Sequence, residues 1–182
     1  MINIKGDTVI LTEVSPRYFD YIISWRNNSE NNRFLNQPFK LTLELQENWY
    51  KKYLKDETQG LLIAIDKINN IPFATIGWTD YDKNKKTCIA GRLLVGNKNY
   101  RGSEFWKEAV VLFNKYLYYD VGVNIMYAHI VKENIASIKW HLKWGWEKNN
   151  GVIEYPNELE VNGMQQYEYL RSKEKYDRWR YK

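Results

Sequence analysis

Cysteine occurs once in this chain of 182 residues, histidine twice and proline four times. Each scarcity excludes something. A lone cysteine, Cys88, cannot close an internal disulfide, which fits a reducing compartment. Its mostly apolar surroundings in the sequence favour packing over nucleophilic chemistry. With His129 and His141 as the two imidazoles, and neither H-E-x-x-H nor paired cysteines, no metal site is expected. The longest apolar runs, such as residues 61–65, fall far short of the roughly 20 residues of a membrane-spanning helix. The first residues lack the charged flank and apolar stretch of a signal peptide, so a cytoplasmic protein with no membrane partner is expected. The Walker-type and dinucleotide glycine loops, the nucleophile elbow and the kinase signatures are also missing.

What is present is a globular composition, 44% hydrophobic and 27% charged, with aromatics at 16% through 8 Trp and 15 Tyr. Such rings supply core volume or line ligand grooves. The net charge of +5 and pI near 9.1 allow an anionic partner. Lys and Arg are dispersed apart from residues 83–86 and the tail 171–182, so no nucleic-acid recognition stripe is read. Phosphates on a small ligand account for the charge as well.

With no repeat, low-complexity stretch or Pro/Gly/Ser linker, residues 1–182 read as a single domain. Alternation and turn residues predict strands over 8–14, 61–66, 73–80, 87–95, 124–131, 151–155 and 165–171. Apolar spacing predicts helices over 17–27, 43–55, 103–119 and 135–143, the last two stopped near Gly122 and Gly145. The implied architecture is α/β, a central mixed, twisted sheet of about seven strands flanked by about four helices.

Two segments carry the chemistry. Residues 89–96 form a strand that runs through Asn97–Tyr100 into Arg101-Gly102-Ser103, at the start of the long helix. A glycine there lets a ligand reach free backbone N–H groups, and those donors with the helix dipole suit a phosphate. After the next strand comes Asn134-Ile135-Ala136-Ser137-Ile138-Lys139-Trp140-His141-Leu142-Lys143-Trp144-Gly145-Trp146. Together these segments resemble the acetyl-CoA-dependent N-acetyltransferase (GNAT) superfamily. Tyr100-Arg101-Gly102 with Glu108-Ala109 resembles its pyrophosphate motif Q/R-x-x-G-x-G/A, although Glu104 and Trp106 replace the usual small residues. Asn134–Trp146 resembles N-x-A-S-I-x-L-Y-E-K-L-G-F, with Asn134, Ala136, Ser137, Ile138, Lys143 and Gly145 in register.

The resemblance implies a largely antiparallel GNAT-like fold and acetyl-CoA, or another short acyl-CoA, as co-substrate without a metal. It places Leu93, Leu94, Val95, Tyr100, Arg101, Gly102, Ser103, Asn134, Ser137 and His141 at the coenzyme site. A bulge in the 93–95 strand would splay it from its neighbour and free backbone N–H groups to polarise the thioester carbonyl, with Leu94 as oxyanion donor. His141 holds the register of the family's acid tyrosine and is expected to protonate the leaving thiolate. The proton acceptor is open between Asp80, His129 and a water chain; Asp80 is the residue chosen.

Ser24-Trp25-Arg26-Asn27 followed by Arg33-Phe34-Leu35 resembles a segment of the subgroup that acylates amino groups on nucleotide-linked sugars, the pseudaminic acid pathway acetyltransferase among them. Trp25, Arg26, Asn27 and Phe34, with Trp78 and Thr79 at a strand end, are the expected acceptor contacts. A dTDP- or UDP-linked amino sugar is the expected acceptor, and a homodimer is left open. The rival acceptors are peptide or ribosomal-protein N-termini. A non-catalytic acyl-CoA or nucleic-acid binding module is the reading from a different class.

Overall fold

The computed structural model describes residues 2–180. Its strands are β1 (Asn3–Lys5), β2 (Val9–Glu13), β3 (Gly60–Asp66), β4 (Ile71–Asp82), β5 (Thr87–Val95), β6 (Ile125–Val131), β7 (Glu147–Lys148), β8 (Glu160–Val161) and β9 (Met164–Ser172). They form one sheet in the order β1-β2-β3-β4-β5-β6-β9-β7, with β8 paired to β9 off that path. Every pairing is antiparallel except β5 with β6. The helices are α1 (Phe19–Asn27), α2 (Ser29–Asn32), α3 (Leu43–Tyr53), α4 (Glu104–Lys115), α5 (Ile135–Lys143) and α6 (Lys173–Arg180).

Alternation along the strands divides the core between two faces. Leu61, Ile63 and Ile65 of β3 pack with Phe19, Ile22 and Tyr53 of α1 and α3. Leu62 and Ala64 point the other way, into a larger cluster with Ala109, Phe113, Trp144, Trp146 and Tyr176. All seven β3 residues are buried, which is why the strand reads as an unbroken apolar run. Each such Leu or Ile side chain contributes about 1.5–3 kcal/mol on burial.

Most expected elements are present within a residue or two, and Thr87–Val95 and Ile135–Lys143 coincide with expectation. The long helix gives way at Tyr116 to a π-helical turn that runs to Val121. The strand expected over 151–155 is instead a loop. Its amides at Glu154 and Tyr155 donate to the carboxylate of Glu168 at 3.1 and 3.2 Å, so they are not available to a ladder. The short β1 and the polar α2 and α6 give little periodic signal and were not expected.

Arg171 ties the α4–α6 face together. The residue is completely buried and makes no salt bridge among the described residues. Its guanidinium donates to Trp144 O at 2.7 Å, to Asn114 Oδ1 at 2.7 Å and to Tyr118 Oη at 3.3 Å. It also lies 4.8 Å from the ring centres of both Trp146 and Tyr176. The planar fork reaches three elements at once, and aromatic faces stand where a carboxylate would otherwise be needed. Losing it leaves those acceptors dry. We expect Arg171→Ala to destabilise the fold by about 3 kcal/mol or more, and Arg171→Lys by nearly as much. Melting measurements should show a drop of roughly 6–12 °C for such a loss in a chain of this size; an unchanged midpoint would show that the fork is dispensable.

Candidate functional site

The site begins where β5 leaves β6. Their parallel register covers Thr87↔Ile125, Cys88↔Met126 and Ile89↔Tyr127 and then ends. On its other edge β5 stays paired with β4 through Leu94 and Val95, but the register shifts so that Arg92 and Leu93 together oppose Ile76. This is a β-bulge. Arg92 carries it at φ 54°, unusual for a non-glycine residue, and Thr75 Oγ1 holds the Arg92 carbonyl at 2.7 Å. Burial records the parting: the first four residues of β5 are buried and the last five are half-exposed. Leu93, Leu94 and Val95 therefore line a wedge between strands, open on the edge that β6 has left.

On the α4 face, the wedge leads to the turn before that helix. Gly102 has φ 68°, and a Cβ placed there would meet no protein atom within 4 Å. Ser103 caps α4, its hydroxyl accepting from Trp106 N at 3.2 Å while donating to Tyr100 O. The amides of Gly102, Glu104 and Phe105 have no partner among the described residues. Three free donors at the positive end of a helix dipole form an anion nest, and the side-chain-free space over Gly102 leaves room for a phosphate. Glu104 does not obstruct it, being strongly exposed and ion-paired with Lys107 at 2.5 Å.

The remaining coenzyme-side residues have other partners. Tyr100 stacks on Phe73 and its hydroxyl donates to Asp66 Oδ2 at 2.8 Å, so it braces the turn. Arg101 reaches back to Asn31. Asn134 caps α5 by accepting from Ser137 N at 3.2 Å.

His141 requires a correction. Its ring is 3% exposed, packed edge-on against Trp140 and Trp146. Burial pushes its pKa down to about 4, with Arg171 adding to the effect. Nδ1 lies 2.8 Å from the Ser137 carbonyl, which can only accept, so Nδ1 bears the proton and Nε2 is bare. A neutral ring with its hydrogen committed to the backbone has no proton for a leaving thiolate. The acid role expected for His141 does not fit this geometry.

The opposite face carries the other expected residues. Trp25 lies flat on Gly96, where a side chain would collide with the indole, so it fixes α1 to the end of β5. Asn27 donates to Leu41 O and accepts from Leu41 N, both at 2.8 Å. That clip uses its amide, so the acceptor contact expected of Asn27 is replaced by a structural one. Trp78 is likewise a core residue, tilted against Phe113 and Tyr116 on the α4 face, and not a groove residue. Phe34 is half-buried beneath Arg33, and Thr79 is half-buried ahead of a second bulge at Asp80, which is exposed with φ 53°. Cys88 is fully buried and burial pushes its thiol up to about 12, which leaves it inert.

Two groups were missed in the sequence reading. Arg92, within the expected 89–96 strand, was given no role. Its Nη1 is buried with no partner, and its guanidinium sits 5.6 Å from the centre of the Trp49 ring. Burial pulls Arg92 below the ordinary arginine range, and so does Arg26. Arg26 is itself lowered by burial and donates through Nε to Gln37 Oε1 at 2.7 Å. Neither arginine has a salt bridge among the described residues. The second group is a carboxylate–imidazole chain in which His129, already named as a candidate acceptor, joins Glu158 and Glu168, which were missed. Among the described residues, no group of three or more His, Cys, Asp or Glu is placed to hold a metal ion, and no helix is long and apolar enough to cross a membrane.

Two outcomes are expected. Between about pH 6.5 and pH 4 the unfolded chain binds a proton at residue 141 that the folded chain refuses, so stability falls with acidification, by about 2 kcal/mol from pH 7 to pH 5. Urea unfolding of the parent and His141→Tyr at both pH values checks this; the variant should lose that part of the slope. Gly102→Val should cost about 1–2 kcal/mol of stability through its backbone alone, while calorimetry shows a much larger loss of acyl-CoA affinity. Equal affinities would remove the anion nest from the site.

No curated protein sequence matches the chain. Among solved structures, apo FdhC, described as a nucleotide-linked sugar GNAT, superposes with a TM-score of 0.77 at 20% identity, covering 97% of this chain and 93% of its own. Spermidine N-acetyltransferase from Vibrio cholerae, in complex with CoA and spermine, gives 0.79 at 13% identity over 94% and 99%. An acetyltransferase of the GNAT family from Bacillus anthracis gives 0.73 at 19% over 95% and 99%. A sequence profile described as an acetyltransferase (GNAT) domain matches residues 8–147, which span the bulged strand, the Gly102 turn and the Asn134 helix. The chain therefore belongs to the GNAT acetyltransferase family and is an acyl-CoA-dependent N-acyltransferase.

Proposed function

We propose that this enzyme transfers an acetyl or other short acyl group to the amino group of a nucleotide-linked amino sugar, a dTDP- or UDP-sugar. The observation that supports the acceptor class is the pair Arg26 and Arg92: two largely buried guanidinium groups, the first of which lowers the second, and neither in a salt bridge among the described residues. Such cations, one on α1 and one on β5 facing Trp49 of α3, suit a diphosphate, and charge-assisted bonds from arginine to phosphate are among the strongest available. A polyamine would add further positive charge to the same wall. The similarity to a nucleotide-linked sugar GNAT points the same way. Asp80 and Glu158 offer a negative end beside it, the feature that favours a polyamine. An amino sugar nucleotide, cationic at one end and anionic at the other, matches both.

Acyl-CoA would lie with its pyrophosphate on the amides of Gly102, Glu104 and Phe105 and its pantetheine along Leu93, Leu94 and Val95. It supplies an activated acyl thioester. This chain contributes orientation of both reactants across the wedge and backbone donors in the splayed half of β5 for the carbonyl oxygen. The Gly96 amide donates to Phe73 O of β4, so by alternation Leu94 also faces β4 and the donor role expected of it passes to the Val95 amide. The departing coenzyme A thiolate is a fair leaving group, needs no dedicated acid and takes its proton from solvent.

A panel of dTDP- and UDP-amino sugars, spermidine and an unblocked peptide, assayed with acetyl-CoA, tests the reading. Sugar nucleotides should be turned over with the highest kcat/KM, and Arg26→Ala should raise KM for the sugar roughly 10- to 100-fold while KM for acetyl-CoA stays within about twofold. Arg92→Ala should do the same. Preference for spermidine or the peptide refutes the sugar assignment.

A further inference from the structure

His129 lies on β6 two residues beyond Tyr127, the last residue paired with β5, on the face opposite α4. It stands directly across the β6–β9 ladder from Glu168. Glu168 is fully buried at its side chain and receives four donors: Asn149 Nδ2 at 2.6 Å, the amides of Glu154 and Tyr155, and His129 Nε2 at 3.1 Å. A carboxylate so surrounded acts as an acceptor, which puts a hydrogen on Nε2 and leaves Nδ1 with its lone pair. That lone pair faces Glu158 Oε2 at 3.5 Å. The imidazole side chain is 6% exposed, whereas Glu158 is 48% exposed and meets solvent. Tyr155 closes over the ring at 6.0 Å between centres and also contacts Tyr127. The order from solvent inward is carboxylate, imidazole, buried carboxylate: an accessible acceptor backed by a base whose tautomer a third group sets.

We propose that Glu158 takes the proton released by the attacking amine, that His129 is the positioning residue that shares this proton through Nδ1, and that Glu168 fixes the His129 tautomer. The assignment rests on the reading that an amine enters the wedge from the α1–α3 face; it does not require the amine to belong to a sugar. In the reaction the amine nitrogen attacks the thioester carbon and a C–N bond forms. The C–S bond breaks, its electron pair leaves on sulfur, and the proton on nitrogen passes to the Glu158 carboxylate. Glu158 is suited to the task because burial first, and Asp80 second, raise it above the ordinary carboxylate range, against the opposing pull of His129. The charged and titratable groups around the pair are Asp80 from β4, Glu168 from β9, Tyr127 from β6, and Tyr155 and Glu154 from the loop, Glu154 being paired with Lys85 at 2.6 Å. This replaces Asp80 as the acceptor chosen from sequence; Asp80 tunes Glu158.

The test has two readouts. The chain holds two histidines, so the imidazole nitrogens of the free protein give a simple NMR spectrum. Near neutral pH, His129 should be the Nε2–H tautomer and His141 the Nδ1–H tautomer, and Glu158→Gln should move the Nδ1 signal of His129 while leaving His141 in place. An Nδ1–H His129 that ignores the substitution overturns the proposal without any substrate. For the rate, acetyl-CoA is paired with whichever amine of the panel the parent acylates, so failure of the sugar reading shows in that choice and failure of the relay in the variants. Glu158→Gln should lower kcat about 100-fold near neutrality with KM for acetyl-CoA within about twofold. The rate should rise with pH through a limb above the ordinary carboxylate range in the parent and lose that limb in the variant, and Glu158→Asp should recover part of it. His129→Gln should shift the limb toward alkali, because the pull by which His129 lowers Glu158 is lost. Parental rates and pH profiles in Glu158→Gln and His129→Gln would overturn the assignment.

Discussion

Parallel pairing between β5 and β6 lasts three residues, and the geometry of the whole site follows from its end. A bulge adds one residue to a strand and sharpens its bend. Here Arg92 and Leu93 supply that residue, and β5 stays with β4 while turning from β6. A central sheet is thereby opened to both layers at once, so that a thioester held from the α4 face can be reached from the α1–α3 face. The opening depends on backbone strain at Arg92, and the Thr75 hydroxyl on the Arg92 carbonyl is the bond that holds it. The bulge also aims the Arg92 guanidinium toward Trp49, Tyr53 and Arg26, so one departure from regular pairing creates the wedge and half of the cationic wall.

The two faces have opposite chemistry. On the proposed reading, anion binding on the coenzyme side relies on backbone amides around Gly102, which carry no formal charge and cannot be titrated. On the acceptor side, as proposed, it relies on Arg26 of α1 and Arg92 of β5, with the carboxylates of Asp80 on β4 and Glu158 in a loop region nearby. Fixed dipoles serve a pyrophosphate common to the family's co-substrate, whereas side chains can vary with the acceptor. That division explains why family membership is evident from the 89–146 region while the acceptor must be argued from Arg26, Arg92 and Glu158.

The sequence made the architecture legible where periodicity is strong, as in β3, β5 and α5, and the Asn134–Trp146 pattern carried the family resemblance. It failed where the deciding contacts are distant in the chain. The loop over 151–155 alternates like a strand, but Glu168, more than ten residues later, captures its amides. His141 holds the right register, but its tautomer is set by the Ser137 carbonyl and its charge by burial between tryptophans, neither of which a motif records. Asn27 and Trp78 carry groove-like side chains that tertiary packing diverted to Leu41 and Phe113. Arg92 could have been found: an arginine between apolar residues, one position after a glycine in a central strand, has no simple structural reason to be there. Glu158 offered no such signal, because only the β6–β9 register brings His129 toward it.

The guanidinium groups of Arg26 and Arg92, bonded to Gln37 and Gln59 but in no salt bridge among the described residues, also bear on how long the protein survives. Burying Arg26 and Arg92 without an ion-pair partner costs folding free energy, which the dianionic acceptor of the proposed reaction would restore on binding. Since proteolysis tracks the population of opened chains, the empty protein is cleared sooner than the occupied one. On the proposed reading, abundance then follows supply: the enzyme accumulates when its acceptor is being made and is degraded when it is not, with no dedicated regulator.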